Sequence, residues 1–235
     1  METVTLRAAR LVLTIACLVM GSVRASDHAS SAISPDEALR RLEAGNERFA
    51  SGKTEHPAQD AHRRQELISG QSPFAIVLGC SDSRVPPEIV FDQGLGEIFD
   101  VRVAGNVLDP ATLASLEYAV DHLGSRLILI LGHEKCGAVQ AALSLSKGAS
   151  AGSPDLDSLV HSIQLNVRGD HLDDPLLRQP VRHQVDGVAQ DLLKRSNLIR
   201  KKVDAGEVRV VRGIYALSSG RVAFWDDSLA SSDSR

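Results

Sequence analysis

Phe74-Ala75-Ile76-Val77-Leu78-Gly79 is a continuous apolar run of strand length, and Glu97–Val103 and Arg126–Leu131 have a similar character. Strands that are apolar at successive rather than alternate positions are covered on both faces, as in a parallel sheet. Between the second and third runs, Leu113, Leu116, Val120 and Leu123 recur at helical spacing behind an Asp109-Pro110 start. Upstream, Ser34-Pro35-Asp36-Glu37 offers a serine N-cap, a proline in the first helical position and a glutamate at the third. That signature predicts a helix through Leu39, Leu42 and Phe49 to Gly52, followed by a shorter one over Gln59–Ser69 that stops at Gly70. Further helices are predicted from near Cys136, from Ser153-Pro154-Asp155, and along Val185, Val188, Leu192 and Ile199. Glu207–Tyr215 and Arg221–Trp225 read as a terminal strand pair turning at Ser218-Ser219-Gly220. Strands alternating with helices imply one α/β domain over residues 34–226. Its expected form is a mostly parallel central sheet flanked by helices, with a C-terminal antiparallel strand. Residues 146–153 read as a loop and 227–235 as a tail.

The first residues follow a different logic. Arg7 and Arg10 precede an apolar run from Leu11 to Met20, and Val23-Arg24-Ala25 offers a small-residue exit. This is the layout of a secretory signal peptide over residues 1–25, cleaved near Ala25. The run is about half the roughly 20 residues a bilayer-spanning helix requires. An uncleaved anchor or a buried helix is the alternative. A lipoprotein processed at Cys17 is disfavoured, because Thr14-Ile15-Ala16 lacks the usual leucine and the apolar stretch continues past it. Residues 26–33 are small and polar and read as a linker. The implied destination is secreted or periplasmic, with no stable membrane association.

Composition narrows the function classes. The 235 residues carry 26 Lys+Arg against 30 Asp+Glu, a charge of −4, with 43% apolar and 24% charged residues. Loss of residues 1–25 leaves 23 basic against 29 acidic side chains, a charge of −6. A mildly acidic chain with only 3% aromatic residues gives no basis for nucleic-acid binding. Three cysteines are too few for a disulfide scaffold, and cleavage would remove Cys17 to leave Cys80 and Cys136.

Both remaining thiols sit at strand ends. Cys80-Ser81-Asp82-Ser83-Arg84 follows the first strand directly, and His133-Glu134-Lys135-Cys136 follows the third after Gly132. Sites in open parallel sheets form at the carboxyl ends of strands, so two thiols, an imidazole and a carboxylate can converge at one edge. Two sulfurs and one nitrogen form a soft donor set that suits Zn²⁺, with a fourth position free for water. A helix beginning at Cys136 would also favour the thiolate. Plain core packing of the cysteines, a Cys80–Cys136 disulfide, and a hydrogen-bonded core role for His133 are the alternatives.

Cys80-Ser-Asp-Ser-Arg-Val-Pro-Pro-Glu88, Asp92-Gln-Gly-Leu-Gly96, Val101-Arg-Val-Ala-Gly-Asn106, Ser115-Leu-Glu-Tyr118 and Gly132-His-Glu-Lys-Cys-Gly-Ala138 together resemble a β-class carbonic anhydrase, from about Ser34 to Trp225. The resemblance implies one Zn²⁺ per chain on Cys80, His133 and Cys136, and a catalytic dyad of Asp82 and Arg84. It implies a substrate pocket lined by Gln71, Phe99, Ala104 and Tyr118, Ala104 being smaller than the valine of some members. It implies reversible hydration of CO₂ to bicarbonate and a proton by attack of zinc-bound hydroxide. It also implies self-association as a dimer or tetramer, with Tyr118 reaching the partner's pocket. In some members the carboxylate corresponding to Asp82 becomes the fourth ligand of a closed state. The non-catalytic bicarbonate site of some members uses a Trp near the N-terminal helices, and Trp225 is the only tryptophan here. Hydrolysis of another small heterocumulene such as COS or CS₂, and a zinc-binding regulatory protein without turnover, are the rival readings. The intact Asp82 and Arg84 favour an enzyme.

Overall fold

The computed structural model describes residues 33–146, 149–170 and 172–226. The signal-peptide reading, nearly all of the linker, and the tail lie outside the described residues. The chain forms α1 (Pro35–Ala50), α2 (Ala61–Glu66), β1 (Ala75–Gly79), α3 (Pro87–Val90), β2 (Ile98–Arg102), α4 (Pro110–Asp121), β3 (Leu127–His133), α5 (Gly137–Ser144), α6 (Pro154–Asn166), α7 (Arg178–Arg195), α8 (Asn197–Asp204), β4 (Arg209–Tyr215) and β5 (Val222–Trp225). The strand order is β2-β1-β3-β4-β5. The first three pairings are parallel and the last is antiparallel.

Every residue of β1 and β3 is buried. The alternation of side chains across a strand divides them between two cores. Ile76, Leu78, Ile128 and Ile130 pack on one face with Leu116, Val185 and Leu192. Ala75, Val77, Leu127, Leu129 and Leu131 pack on the other with Ala38, Leu42 and Phe91. With helices on both faces, neither set of strand side chains is left for water, which accounts for the unbroken apolar runs in the sequence.

The helix starts follow the cap chemistry. Ser34 accepts from the Glu37 N–H at 3.2 Å, Asp109 from the Thr112 N–H at 2.7 Å, and Ser153 from the Leu156 N–H at 3.2 Å. Beyond shifts of a residue or two at element ends, three features differ from expectation. The helix expected over Gln59–Ser69 is α only to Glu66 and finishes as a 3₁₀ turn over Leu67–Ser69. The pattern through Val185 and Ile199 belongs to two helices. Ser196 breaks it with extended backbone (φ −102°, ψ 101°) and caps α8 by accepting from the Ile199 N–H at 3.1 Å. The four-residue α3 carries too little periodicity to be read in advance, and Pro86-Pro87 starts it.

Asp100 faces away from ordinary solvation on the edge strand β2, and its Oδ1 has no hydrogen-bond partner. Burial, reinforced by the Glu88 charge, pushes its carboxyl up to about 7. A carboxyl raised in the folded state contributes stability below its unfolded value near 3.8, and loses it as pH rises toward 7. Asp100→Asn is therefore expected to stabilise the chain at pH 8, by on the order of 1 kcal/mol after allowance for the group's partial exposure. The gain should shrink toward zero near pH 4. Thermal melts of both proteins across that range check it, and a pH-independent difference would refute the assignment.

Candidate metal centre

β1 and β3 are adjacent and parallel, with Gly79 paired to Leu131. Their carboxyl ends therefore deliver Cys80 and His133 to the same edge of the sheet. The two-residue link Glu134-Lys135 then returns Cys136 to that point, with Lys135 in the left-handed region (φ 53°) to close the turn. The ligand atoms of Cys80, His133 and Cys136 all lie within 4.8 Å of one another, and all three residues are buried.

The donor set fits a soft divalent cation. His133 Nδ1 lies 2.9 Å from the Glu134 carbonyl, which can only accept, so this nitrogen carries the proton. Nε2 is then the lone-pair nitrogen, and it is buried with no hydrogen-bond partner. A ring oriented through one nitrogen and bare at the other is how a histidine ligand is presented. The two thiols share a charge between them. The Cys136 S–H and the Gly105 N–H (3.3 Å from Cys80 Sγ) hold the Cys80 thiol well below its ordinary value, while the Cys80 thiolate and burial push Cys136 up. A cation within the triad would remove that opposition and favour both thiolates. Cys136 also stands at the N-cap of α5, where first-turn N–H groups favour negative charge.

Asp82 lies beside this set, its Oδ2 3.8 Å from His133 Nε2. Arg84 holds it there by three contacts: backbone N–H to Oδ1 at 2.9 Å, Nε to Oδ1 at 2.8 Å and Nη2 to Oδ2 at 2.6 Å. These bonds keep the Asp82 carboxyl far below the usual carboxylate range, so it is an ionised acceptor at any working pH.

Three contributors were not singled out in the sequence. Arg102, at the end of β2, donates to the Cys80 carbonyl at 3.0 Å and the Asp82 carbonyl at 2.6 Å, fixing the Cys80–Asp82 loop. Gly105 (φ 65°) brings its N–H to the Cys80 sulfur, and a Cβ there would come within 2.6 Å of the Ile163 side chain. Glu134 is buried and anchors the turn between two ligands. Arg102 and Gly105 lie in the Val101–Asn106 motif, and Glu134 lies between the two ligands of the other. Their sequence signal was absorbed by the motifs without separate roles.

The expected pocket residues are divided. Ala104 adjoins Gly105, on the metal side of the chain. Gln71 precedes β1 whereas Cys80 follows it, so the whole strand separates them. Phe99 pairs in register with Ile76, three positions before the Gly79–Arg102 pair that adjoins Cys80. Tyr118 is half-exposed on α4, its ring centroid 6.3 Å from that of Phe99. Gln71 borders an open groove with Leu67, Ile68 and Leu95. One chain therefore groups Cys80, Asp82, Arg84, Ala104, His133 and Cys136, and leaves Gln71, Phe99 and Tyr118 toward the other end of the sheet. Trp225 lies on the edge strand, partly buried against the core, with the Arg182 guanidinium 4.3 Å from its ring centroid.

Comparison with known proteins gives one family. Its model, described as carbonic anhydrase, matches residues 75–222. The chain is 41% identical over 199 residues to carbonic anhydrase 2 of Mycobacterium tuberculosis, covering 82% of this chain and 93% of that protein. Among solved structures it is similar to a Coccomyxa β-carbonic anhydrase in complex with acetazolamide (TM-score 0.60, 25% identity, 79% of this chain and 85% of that one). It is also similar to one of two tetrameric β-carbonic anhydrases of Sordaria macrospora (TM-score 0.56, 26% identity, 80% and 96%).

Proposed function

The chain belongs to the carbonic anhydrase family, in its β class, and from that premise we propose that it is a zinc enzyme hydrating CO₂ reversibly at the Cys80–His133–Cys136 centre. The observation that carries the metal reading is the unpartnered, buried Nε2 of His133 within 4.8 Å of both cysteine sulfurs. Zn²⁺ bound there would lower the pKa of water toward about 7 and so supply hydroxide as a nucleophile near neutrality.

The chain's own residues do the rest. Cys80 and Cys136 bring two negative charges and His133 a neutral donor. Asp82, ionised and pinned by Arg84, accepts the nucleophile's proton in a hydrogen bond and turns its lone pair toward the substrate carbon. Arg84 keeps the carboxylate from entering the centre as a ligand itself. Arg102 holds the loop that carries both groups. Ala104 contributes an apolar wall suited to a non-polar substrate. Gln71, Phe99 and Tyr118 serve the pocket of a second copy, since their own chain places them away from its centre. Self-association as a dimer or tetramer then completes each site, a reading supported by the tetrameric Sordaria relatives. Among the described residues no helix is long and apolar enough to cross a membrane. Export with loss of residues 1–25 is proposed from the Arg7/Arg10 and Leu11–Met20 pattern.

One native preparation tests this reading. It is expected to begin at Ser26, to hold about one zinc per chain, and to hydrate CO₂ with activity lost to a chelator and restored by zinc. An intact Met1 refutes export, and chelator-insensitive activity refutes the metal role.

A further inference from the structure

The link between two of the metal-site residues, Glu134-Lys135, has every backbone polar group partnered. The Glu134 N–H donates to the Tyr215 carbonyl at 3.0 Å, and the Lys135 N–H to the Leu176 carbonyl at 2.9 Å. The Glu134 carbonyl takes the His133 Nδ1 proton, and the Lys135 carbonyl lies 3.4 Å from Arg84 Nη2. The Glu134 side chain is buried, with 2% of its surface exposed. Its Oε1 accepts from Arg178 Nε at 2.7 Å and forms an ion pair with Arg178 Nη2 at 2.7 Å, and its Oε2 accepts from the Leu217 N–H at 3.1 Å. One carboxylate thus ties the turn to the start of α7 and to the segment after β4. Through Lys135 the same turn reaches the arginine that pins Asp82.

We propose that Glu134 and Arg178 are a positioning pair, which fixes the relative placement of His133 and Cys136 toward a metal and, through the Lys135 carbonyl, the seat of Arg84. The proposal rests on the zinc reading above. A buried carboxylate is costly unless paired, and here the Arg178 guanidinium and the Leu217 N–H hold its two oxygens from different segments. Neither residue touches the substrate or the metal in this account. Their effect passes through the turn, which is how groups behind a ligand set its orientation.

The test separates positioning from mere stability. Glu134→Gln, Arg178→Ala and the double variant are compared with the intact full chain, with Arg221→Ala as a control that breaks an exposed pair with Glu47. Three quantities are read: the rate of zinc release to a chelator, the visible absorption of the cobalt-substituted protein, and the melting temperature of the metal-free chain. Arg178→Ala leaves the carboxylate buried without its guanidinium and should lower the melting temperature more than Glu134→Gln. The double variant removes that unpaired charge and should recover most of the loss. Metal retention should not recover with it: all three variants are expected to release zinc about 10–100-fold faster, with an altered cobalt spectrum. Wild-type release and spectrum in Glu134→Gln and Arg178→Ala would overturn the proposal. So would a double variant in which release returns to the wild-type rate along with stability, since that marks a purely structural pair. Failure of the wild-type protein to bind zinc or cobalt at all would instead overturn the zinc reading, so the two failures are distinct.

Discussion

Cys136→Ser is expected to give a folded chain that retains no zinc and shows no measurable CO₂ hydration. Serine stays protonated near neutral pH and offers a hard oxygen donor where the ion prefers a thiolate, so two donors remain of three. The nearest substitute ligand, Asp82, is held back by its three contacts with Arg84. Complete structural zinc sites are worth about 10–16 kcal/mol, so removing one thiolate should weaken binding by on the order of 10³-fold or more. The fold should tolerate the change. Cys136 stands at the N-cap of α5, and serine is among the residues that cap helices best. The thiol itself makes no hydrogen bond that holds the cap. Metal analysis of the purified variant, beside its melting curve, decides the matter. Full zinc in a folded Cys136→Ser protein would remove Cys136 from the ligand set.

The same centre shows what the sequence made legible. Cys80, His133, Cys136 and Asp82 could be named because each lies at or just past the end of a strand whose apolar run is unmistakable, and parallel strands put their carboxyl ends together, whereas the pairing of Asp82 with Arg84 came from the family resemblance. The sheet was readable for the same reason: β1 and β3 are buried on both faces, so no polar residue interrupts them. Less was readable where a contact joins segments distant in the chain. Glu134 reads as one more charged turn residue until Arg178, on α7, is folded against it. Arg102 looks like a polar end to β2 until the Cys80–Asp82 carbonyls turn toward it. The break between α7 and α8 was hidden because Leu192 and Ile199 continue the apolar spacing across Ser196, where the backbone changes. The pocket residues illustrate a different limit. Gln71, Phe99 and Tyr118 match positions of the family's pocket, but β1 and the register of β2 place them away from the Cys80 edge of their own chain. Spacing along a sequence does not say which copy's site a residue serves.

Asp82 and Arg84 are expected to fail together. Arg84 makes three contacts to the Asp82 carboxylate, and that carboxylate lies only 3.8 Å from His133 Nε2. Without the guanidinium, a small rotation would carry Asp82 into the metal centre as a further ligand. Arg84→Ala should therefore lower turnover, by about 10²-fold or more given what positioned proton acceptors contribute. The loss should be greatest at low pH, where the competitor for that place is water and not hydroxide, and should ease as pH rises. Asp82→Asn keeps the shape, but its NH₂ can donate where the carboxylate could only accept. It should lower turnover at all pH values between about 6 and 9, the range over which metal-activated water titrates. The combined variant should be little worse than the worse single one, because both changes damage the orientation of the same nucleophile. Zinc content should stay near one per chain in all three, since neither residue is a required ligand. Stopped-flow CO₂ hydration across that pH range, with metal analysis of each sample, supplies the comparison. Additive losses in the combined variant would show two separate roles, and an Arg84→Ala protein as fast as the parent at pH 6 would show that Asp82 needs no restraint.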